Sequence, residues 1–150
     1  MPRGQASLIF FTILAGMLLP IQAALNTRLG RELGSPILGA MVSFIVGALG
    51  LTCYVLLSRP AFAGMAAVRT MPPHLWLGGL CGAIYVTTVT LVAPRLGVAT
   101  LTGLSVAGQM AVSAVLDHWG LFGLPVHPVT PSRIAGIVLI VLGVVLLQRK

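Results

Sequence analysis

At 150 residues the chain has room for one domain and little beyond it. It is 57% hydrophobic and only 7% charged, with a mean hydropathy of +1.05. Soluble domains carry roughly 25% charged residues, so this composition excludes a soluble fold: the surplus apolar surface must face lipid. The formal charge of +7 comes from nine Lys and Arg set against Glu32 and Asp117. The basic residues stand singly between apolar runs, without a patch or interleaved aromatics. That arrangement fits anchoring at lipid headgroups and gives no support to nucleic acid as a partner.

A helix that crosses the hydrocarbon core needs about 20 mostly apolar residues. Five stretches answer that description, which predicts an all-α integral membrane protein with one transmembrane domain over residues 1–150. The first span covers residues 6–25 and ends in Pro20-Ile21-Gln22-Ala23-Ala24-Leu25-Asn26. Gln22 and Asn26 lie four apart and share a helix face; an amide in hydrocarbon needs a partner, so the pair either lines a substrate path or clamps a neighbouring helix. Pro20 frees a carbonyl one turn earlier. The basic start at Arg3 and the run Ile21-Gln22-Ala23-Ala24 loosely resemble a leader and its cleavage site, but four further apolar spans follow in either case.

The second span covers residues 36–57. Ser35 and Pro36 form its start signal: serine accepts an orphan N–H and proline at the first turn needs none. The third span, 73–92, carries Tyr85, Thr87, Thr88 and Thr90. Threonine hydroxyls bond the carbonyl one turn back, which accounts for the threonines without a site, whereas the Tyr85 ring is suited to stack on a solute. The fourth span, 98–116, places Ser105, Gln109 and Ser113 at i, i+4 and i+8 on one polar stripe, with Gln109 near mid-membrane, where solute sites of transporters lie; the stripe either lines a path or joins neighbouring helices by hydrogen bonds. The fifth span, 131–147, opens at Thr130-Pro131 and is short. Gly39, Ser43 and Gly47, Gly78 and Gly82, and Gly103, Ala107 and Ala111 recur at the four-residue spacing of close helix packing. Cys53 and Cys81 fall inside apolar runs and read as small buried hydrophobes.

The intervening segments are short or polar: 26–35, 58–72, 93–97 and 117–130. The last begins with Asp117-His118-Trp119. Asp117 has two readings: a proton or cation site with His118 as its titrating neighbour, or a helix-end carboxylate paired with an arginine such as Arg133. The second is the working expectation. The spacing of Asp117, His118 and His127 matches no metal motif. No paired carboxylates, phosphate-binding loop or activated nucleophile is present, so neither enzymatic activity nor a cofactor is expected.

Basic residues near helix ends set orientation. With five spans, Arg3, Arg59, Arg69 and Arg133 fall on one side, four in all, and Arg28, Arg31, Arg95, Arg149 and Lys150 on the other, five in all. A near-tie predicts insertion in both orientations and pairing with an inverted copy; the alternative is that the small imbalance still fixes one orientation, or that one helix lies elsewhere than expected.

The runs Pro20-Ile21-Gln22, Asn26, Leu29-Gly30, Val42-Ser43-Phe44, Gly47, Gly78-Gly79-Leu80, Gly82-Ala83, Tyr85-Val86, Gly108-Gln109, Asp117-His118 and Gly120 resemble the YdcZ-type family, a five-helix branch of the drug/metabolite transporter superfamily. The resemblance runs nearly end to end. It implies a multi-pass protein of the bacterial inner membrane that works with an inverted copy of itself or a homologous inverted partner. The small multidrug exporters of that superfamily carry an acid in their first helix; here that helix has none, and Gln22 and Asn26 are its polar groups.

The sequence thus leads to the expectation of a small-solute transporter working as an antiparallel dual-topology homodimer, with Gln22, Asn26, Tyr85, Ser105, Gln109 and Ser113 along the path and Asp117 and His118 as coupling or structural polar groups. Uncharged lining points to a neutral, hydrogen-bonding solute. A dual-topology channel, or a structural or accessory membrane subunit, are the alternatives.

Overall fold

The computed structural model describes residues 3–62 and 64–148. Met1, Pro2, Ala63, Arg149 and Lys150 lie outside the described residues, and with them two of the basic residues in the topology count. The described chain is helical throughout, in the order α1 (Arg3–Glu32), α2 (Pro36–Ser58), α3 (Met65–Thr70), α4 (Leu77–Leu96), α5 (Val98–Trp119) and α6 (Pro131–Gln148), with single 3-10 turns at Pro73–Trp76 and Leu121–Gly123. No strand occurs among the described residues.

Four stretches are long and apolar enough to cross a membrane: Gln5–Glu32, Pro36–Ser58, Pro73–Leu96 and Val98–Trp119. Pro131–Leu147 is apolar but shorter. The 18 residues of α6 span about 27 Å at 1.5 Å each, a little under a hydrocarbon core of about 30 Å. Only 6% of the most apolar stretch of α1, α2 and α5 is buried, and 17% of that of α4. A soluble protein would bury the apolar stripe of each such helix; here Leu, Ile, Val and Phe stand outward along whole faces. Cys53 and Cys81 belong to this outward surface. They are exposed free thiols, not the buried hydrophobes expected, because an apolar side chain of a spanning helix can face outward at no cost.

The helices divide into two compact units, residues up to Pro94 and residues from Arg95. In the first, α1 runs past the expected end of its span at Leu25 through Asn26-Thr27-Arg28 to Glu32. Helical hydrogen bonding does not require apolar side chains, so the backbone continues where the hydrocarbon stops. The helix closes in a left-handed turn: Gly34 has φ 71°, and the Gly34 and Ser35 N–H groups donate to the Arg31 and Gly30 carbonyls at 3.2 and 2.9 Å. Ser35 then serves twice, since its hydroxyl accepts from the Leu38 N–H at 3.5 Å and caps α2, with Pro36 in the first turn.

This turn folds α2 back against α1 at backbone distance. A Cβ on Gly39 would stand 2.7 Å from the Gly30 nitrogen and 2.9 Å from the Asn26 carbonyl oxygen. Ala23, Asn26 and Gly30 of α1 and Gly39 and Ala40 of α2 are buried, with the α1 residues at i, i+3 and i+7 on one face. Helix α4 adds a buried face of Val86, Val89, Thr90 and Ala93, and its Gly82 faces the Phe44 ring of α2. Pro94, expected in a tight turn, lies inside the last turn of α4. Its missing N–H forfeits a single bond, to the Thr90 carbonyl, and the helix ends two residues on.

The second unit is the α5–α6 hairpin. A Cβ on Gly103 would meet the Val144 side chain at 2.7 Å, and Leu101 and Val144 are its buried apolar residues. The Thr130 hydroxyl accepts from the Arg133 N–H at 3.3 Å and caps α6.

Candidate functional site

The polar residues of the two units occupy distinct surroundings. In the first unit, Gln22 and Asn26 lie on one side of α1 yet differ in exposure. Gln22 is exposed, whereas Asn26 is 4% exposed on the face that meets α2, its backbone carbonyl close against Gly39. One turn of helix separates an outward amide from one enclosed by the α1–α2 crossing. Tyr85 on α4 is half-buried. The threonines spend their hydroxyls on their own helices: Thr88 on the Ile84 carbonyl and the buried Thr90 on the Val86 carbonyl, both at 2.8 Å. A cavity of about 300 Å³ lies beside the hairpin turn, lined by Thr27, Gly30, Arg31, Gly34, Pro36, Thr90 and Pro94.

In the second unit, Ser105, Gln109 and Ser113 follow one another along α5. Ser105 and Ser113 are half-buried and Gln109, between them, is exposed. Ser113 and Asp117 meet at a cavity of about 280 Å³ between α5 and α6. Met110 and Ala114 line it from α5, and Gly136, Ile137, Ile140 and Arg133 from α6. The Arg133 Nη1 donates to Asp117 Oδ2 at 3.2 Å and closes one end of this largely apolar space with an ion pair. The expected helix-end partner of Asp117 is therefore in place.

The connection between α5 and α6 holds that pair. Arg133 Nη1 also donates to the His127 carbonyl at 3.0 Å. The His127 N–H donates to the Asp117 carbonyl at 2.8 Å. His118, exposed beside Asp117, accepts the Val129 N–H on Nδ1 at 3.2 Å, and its ring packs edge-on to Trp119. Gly120 lets the chain leave α5 with φ 57°; a Cβ there would strike Val126 at 2.8 Å. His118 and His127 thus act within the connection, and no group of three His, Cys, Asp or Glu among the described residues is placed to hold a metal.

Sequence reasoning named Ser113, Asp117 and Arg133 but not the space between them. The cavity exists because Gly136 stands opposite the Ser113–Ala114 turn, and no periodicity reveals which small residue will face which. Gly30, which carries part of the family resemblance, does not stand out as a packing residue because it lies beyond the apolar span that marks the helix.

Long apolar helices with unburied faces and polar amides set into them define the class: a multi-pass, all-helical membrane protein. Over residues 7–146 the chain matches the family described as "Putative inner membrane exporter, YdcZ", and it belongs to that family. It is a multi-pass protein of the inner membrane. No curated protein and no solved structure matches it significantly.

Proposed function

We propose that the protein carries small solutes across the inner membrane along a polar path at the interface of an antiparallel homodimer, with five spans in each chain. The observation that carries this reading is the exposure of Gln109. It stands outward near the middle of α5, a 22-residue helix of spanning length. An amide in that position facing hydrocarbon costs several kcal/mol, so it faces a second chain or a water-filled path. Ser105 and Ser113 extend the same stripe by a turn in each direction, and Gln22 repeats the situation on α1. Tyr85 completes the proposed lining, and Asn26, 4% exposed at the α1–α2 crossing, is assigned the other role open to it, a clamp between those two helices. The family description, an inner membrane exporter, agrees with this reading. Short α6 is shielded in the dimer or accommodated by local thinning of the bilayer.

The test is flux in liposomes. Gln109→Leu should abolish saturable, gradient-driven flux while the purified protein stays a folded dimer. Unchanged flux in that variant removes Gln109 from the path. Flux that never saturates identifies a channel, and no flux with any solute identifies an accessory subunit.

A further inference from the structure

We infer that the cavity between α5 and α6 takes an amphipathic organic monoanion together with one proton, Arg133 holding the anion and Asp117 the proton. The inference names the solute class of the transport reading above and rests on it.

Size and lining come first. An apolar cavity of about 150 Å³ takes a benzene ring, so about 280 Å³ suits a body of roughly ten carbons. Met110, Ile137 and Ile140 give that body apolar walls, and polarity is confined to Ser113 and the ion pair. A ligand that fits is therefore apolar with one charged end. Asp117 and Arg133 are both within its reach: their side chains are 34% and 40% exposed.

Charge decides the sign. The pair is neutral in sum, and a charged ligand must displace one member from the other. A guanidinium cannot lose its proton in a protein, whereas a carboxylate can gain one. A cation drawn to Asp117 would leave two positive groups beside a single carboxylate, with no proton available to relieve them. An anion drawn to Arg133 meets no such obstacle. Asp117 takes up a proton from the aqueous side, and guanidinium, anion and protonated carboxyl sum to zero. When the anion leaves, the proton leaves with it and the carboxylate returns to Arg133. The uncharged lining elsewhere argued for a neutral solute; an anion that travels with a proton is neutral in sum.

The site is organised for this exchange. Arg133 Nη1 is held at 3.0 Å by the His127 carbonyl as well as by Asp117, so the guanidinium stays in place when the carboxylate releases it. The connection is itself fastened to α5 through the His127 N–H on the Asp117 carbonyl and the Val129 N–H on His118 Nδ1. The titratable and charged groups at this end among the described residues are Asp117 and His118 on α5, His127 in the connection and Arg133 on α6. His118 Nδ1 is engaged by Val129 and His127 Nδ1 lies 3.1 Å from the Pro125 carbonyl, whereas the Asp117 carboxylate is the group bonded to the Arg133 side chain and the one an anion would displace.

The test uses the full chain with three matched probes: 2-naphthoate, 2-naphthylmethylammonium and 2-naphthamide. Calorimetric titration at about pH 5.5 and about pH 7.5, in buffers of different ionisation enthalpy, reads affinity and proton uptake. Naphthoate should bind with uptake of one proton, its affinity rising up to about tenfold for each pH unit lost. Asp117→Asn should bind it without proton uptake and at least about tenfold more tightly than wild type at the higher pH, a gain that misfolding cannot produce. Arg133→Gln should lose at least about tenfold in affinity. The inference is overturned if the ammonium probe binds as tightly as naphthoate, if proton uptake survives in Asp117→Asn, or if binding seen in detergent disappears in liposomes because lipid occupies the cavity. Flux is measured separately. Naphthoate binding without flux of any solute removes the transport reading and leaves the site, whereas saturable flux of other solutes without naphthoate binding removes the site and leaves the transport reading.

Discussion

Gly39 and Gly47 lie on the same stripe of α2 and look equivalent in the sequence, yet their surroundings differ. A Cβ at Gly39 would be driven into the α1 backbone, with Gly30 and Asn26 atoms at 2.7 to 2.9 Å; at Gly47 nothing lies within 4 Å. Backbone cannot rotate aside as a flexible side chain can, so Gly39→Ala must separate the two helices, at a cost of about 1–3 kcal/mol. Gly47→Ala should leave the hairpin intact. Thermal unfolding of the two variants in the same detergent checks this, and an equal loss in both would mean that the crossing is not centred on Gly39. The four-residue spacing was legible from residue types alone. Which member of the stripe bears the contact was not, because that depends on Gly30, which lies in a segment whose Arg28, Arg31 and Glu32 mark it as a connection by the measure of hydrophobicity. The reverse holds at Asp117: its pairing with Arg133 could be anticipated from scarcity, since the chain has only two acids.

Among the elements, the α5–α6 connection is the one whose organisation the sequence concealed. Gly120, Gly123, Pro125 and Pro128 announce irregular backbone, but nothing in their order shows that His118 will accept the Val129 N–H across 11 residues or that Arg133 will bind a carbonyl as well as a carboxylate. These are tertiary contacts between side chain and backbone, without a periodic signature. His118→Ala removes the acceptor for Val129 and should loosen the end of the connection without unfolding α5. Hydrogen exchange at the Val129 amide should rise while exchange in the middle of α5 stays unchanged; unaltered exchange at Val129 would show that the bond does not hold the loop. At α1 and α4 the discrepancy ran the other way, and the helices continued past the C-terminal ends of their apolar spans. Hydropathy reports where hydrocarbon begins and ends, while hydrogen bonding decides where a helix does, and Pro94 at the end of α4 removes too little of it to stop the helix early.

At the scale of the whole molecule, the proposed antiparallel dimer follows from a margin of one basic residue, four against five. Two lysines added before Arg3 should commit the chain to one orientation and abolish flux, and mixing chains biased in opposite senses should restore it. A single terminal cysteine, labelled from each side of the membrane in a background without Cys53 and Cys81, reports orientation. Labelling of the unaltered topology from one side only would mean that a separate inverted partner is required. Membrane residence and an all-helical fold were legible from composition, because almost no apolar surface is spent inside the chain. The arrangement of copies was not, because an exposed apolar face is equally compatible with lipid and with another helix.

The α1–α2 turn bears on how such a chain is made. Its backbone is already paired at the tip: Ser35 to Gly30, Gly34 to Arg31 and Gly39 to Ser35. Little at the tip waits on later parts of the chain for a hydrogen-bond partner. The two helices can therefore leave the translocation channel as one folded hairpin, before α4 has emerged from the ribosome. The tip carries Arg28, Arg31 and Glu32, so insertion of such a hairpin would place one small charged cap for two helices together.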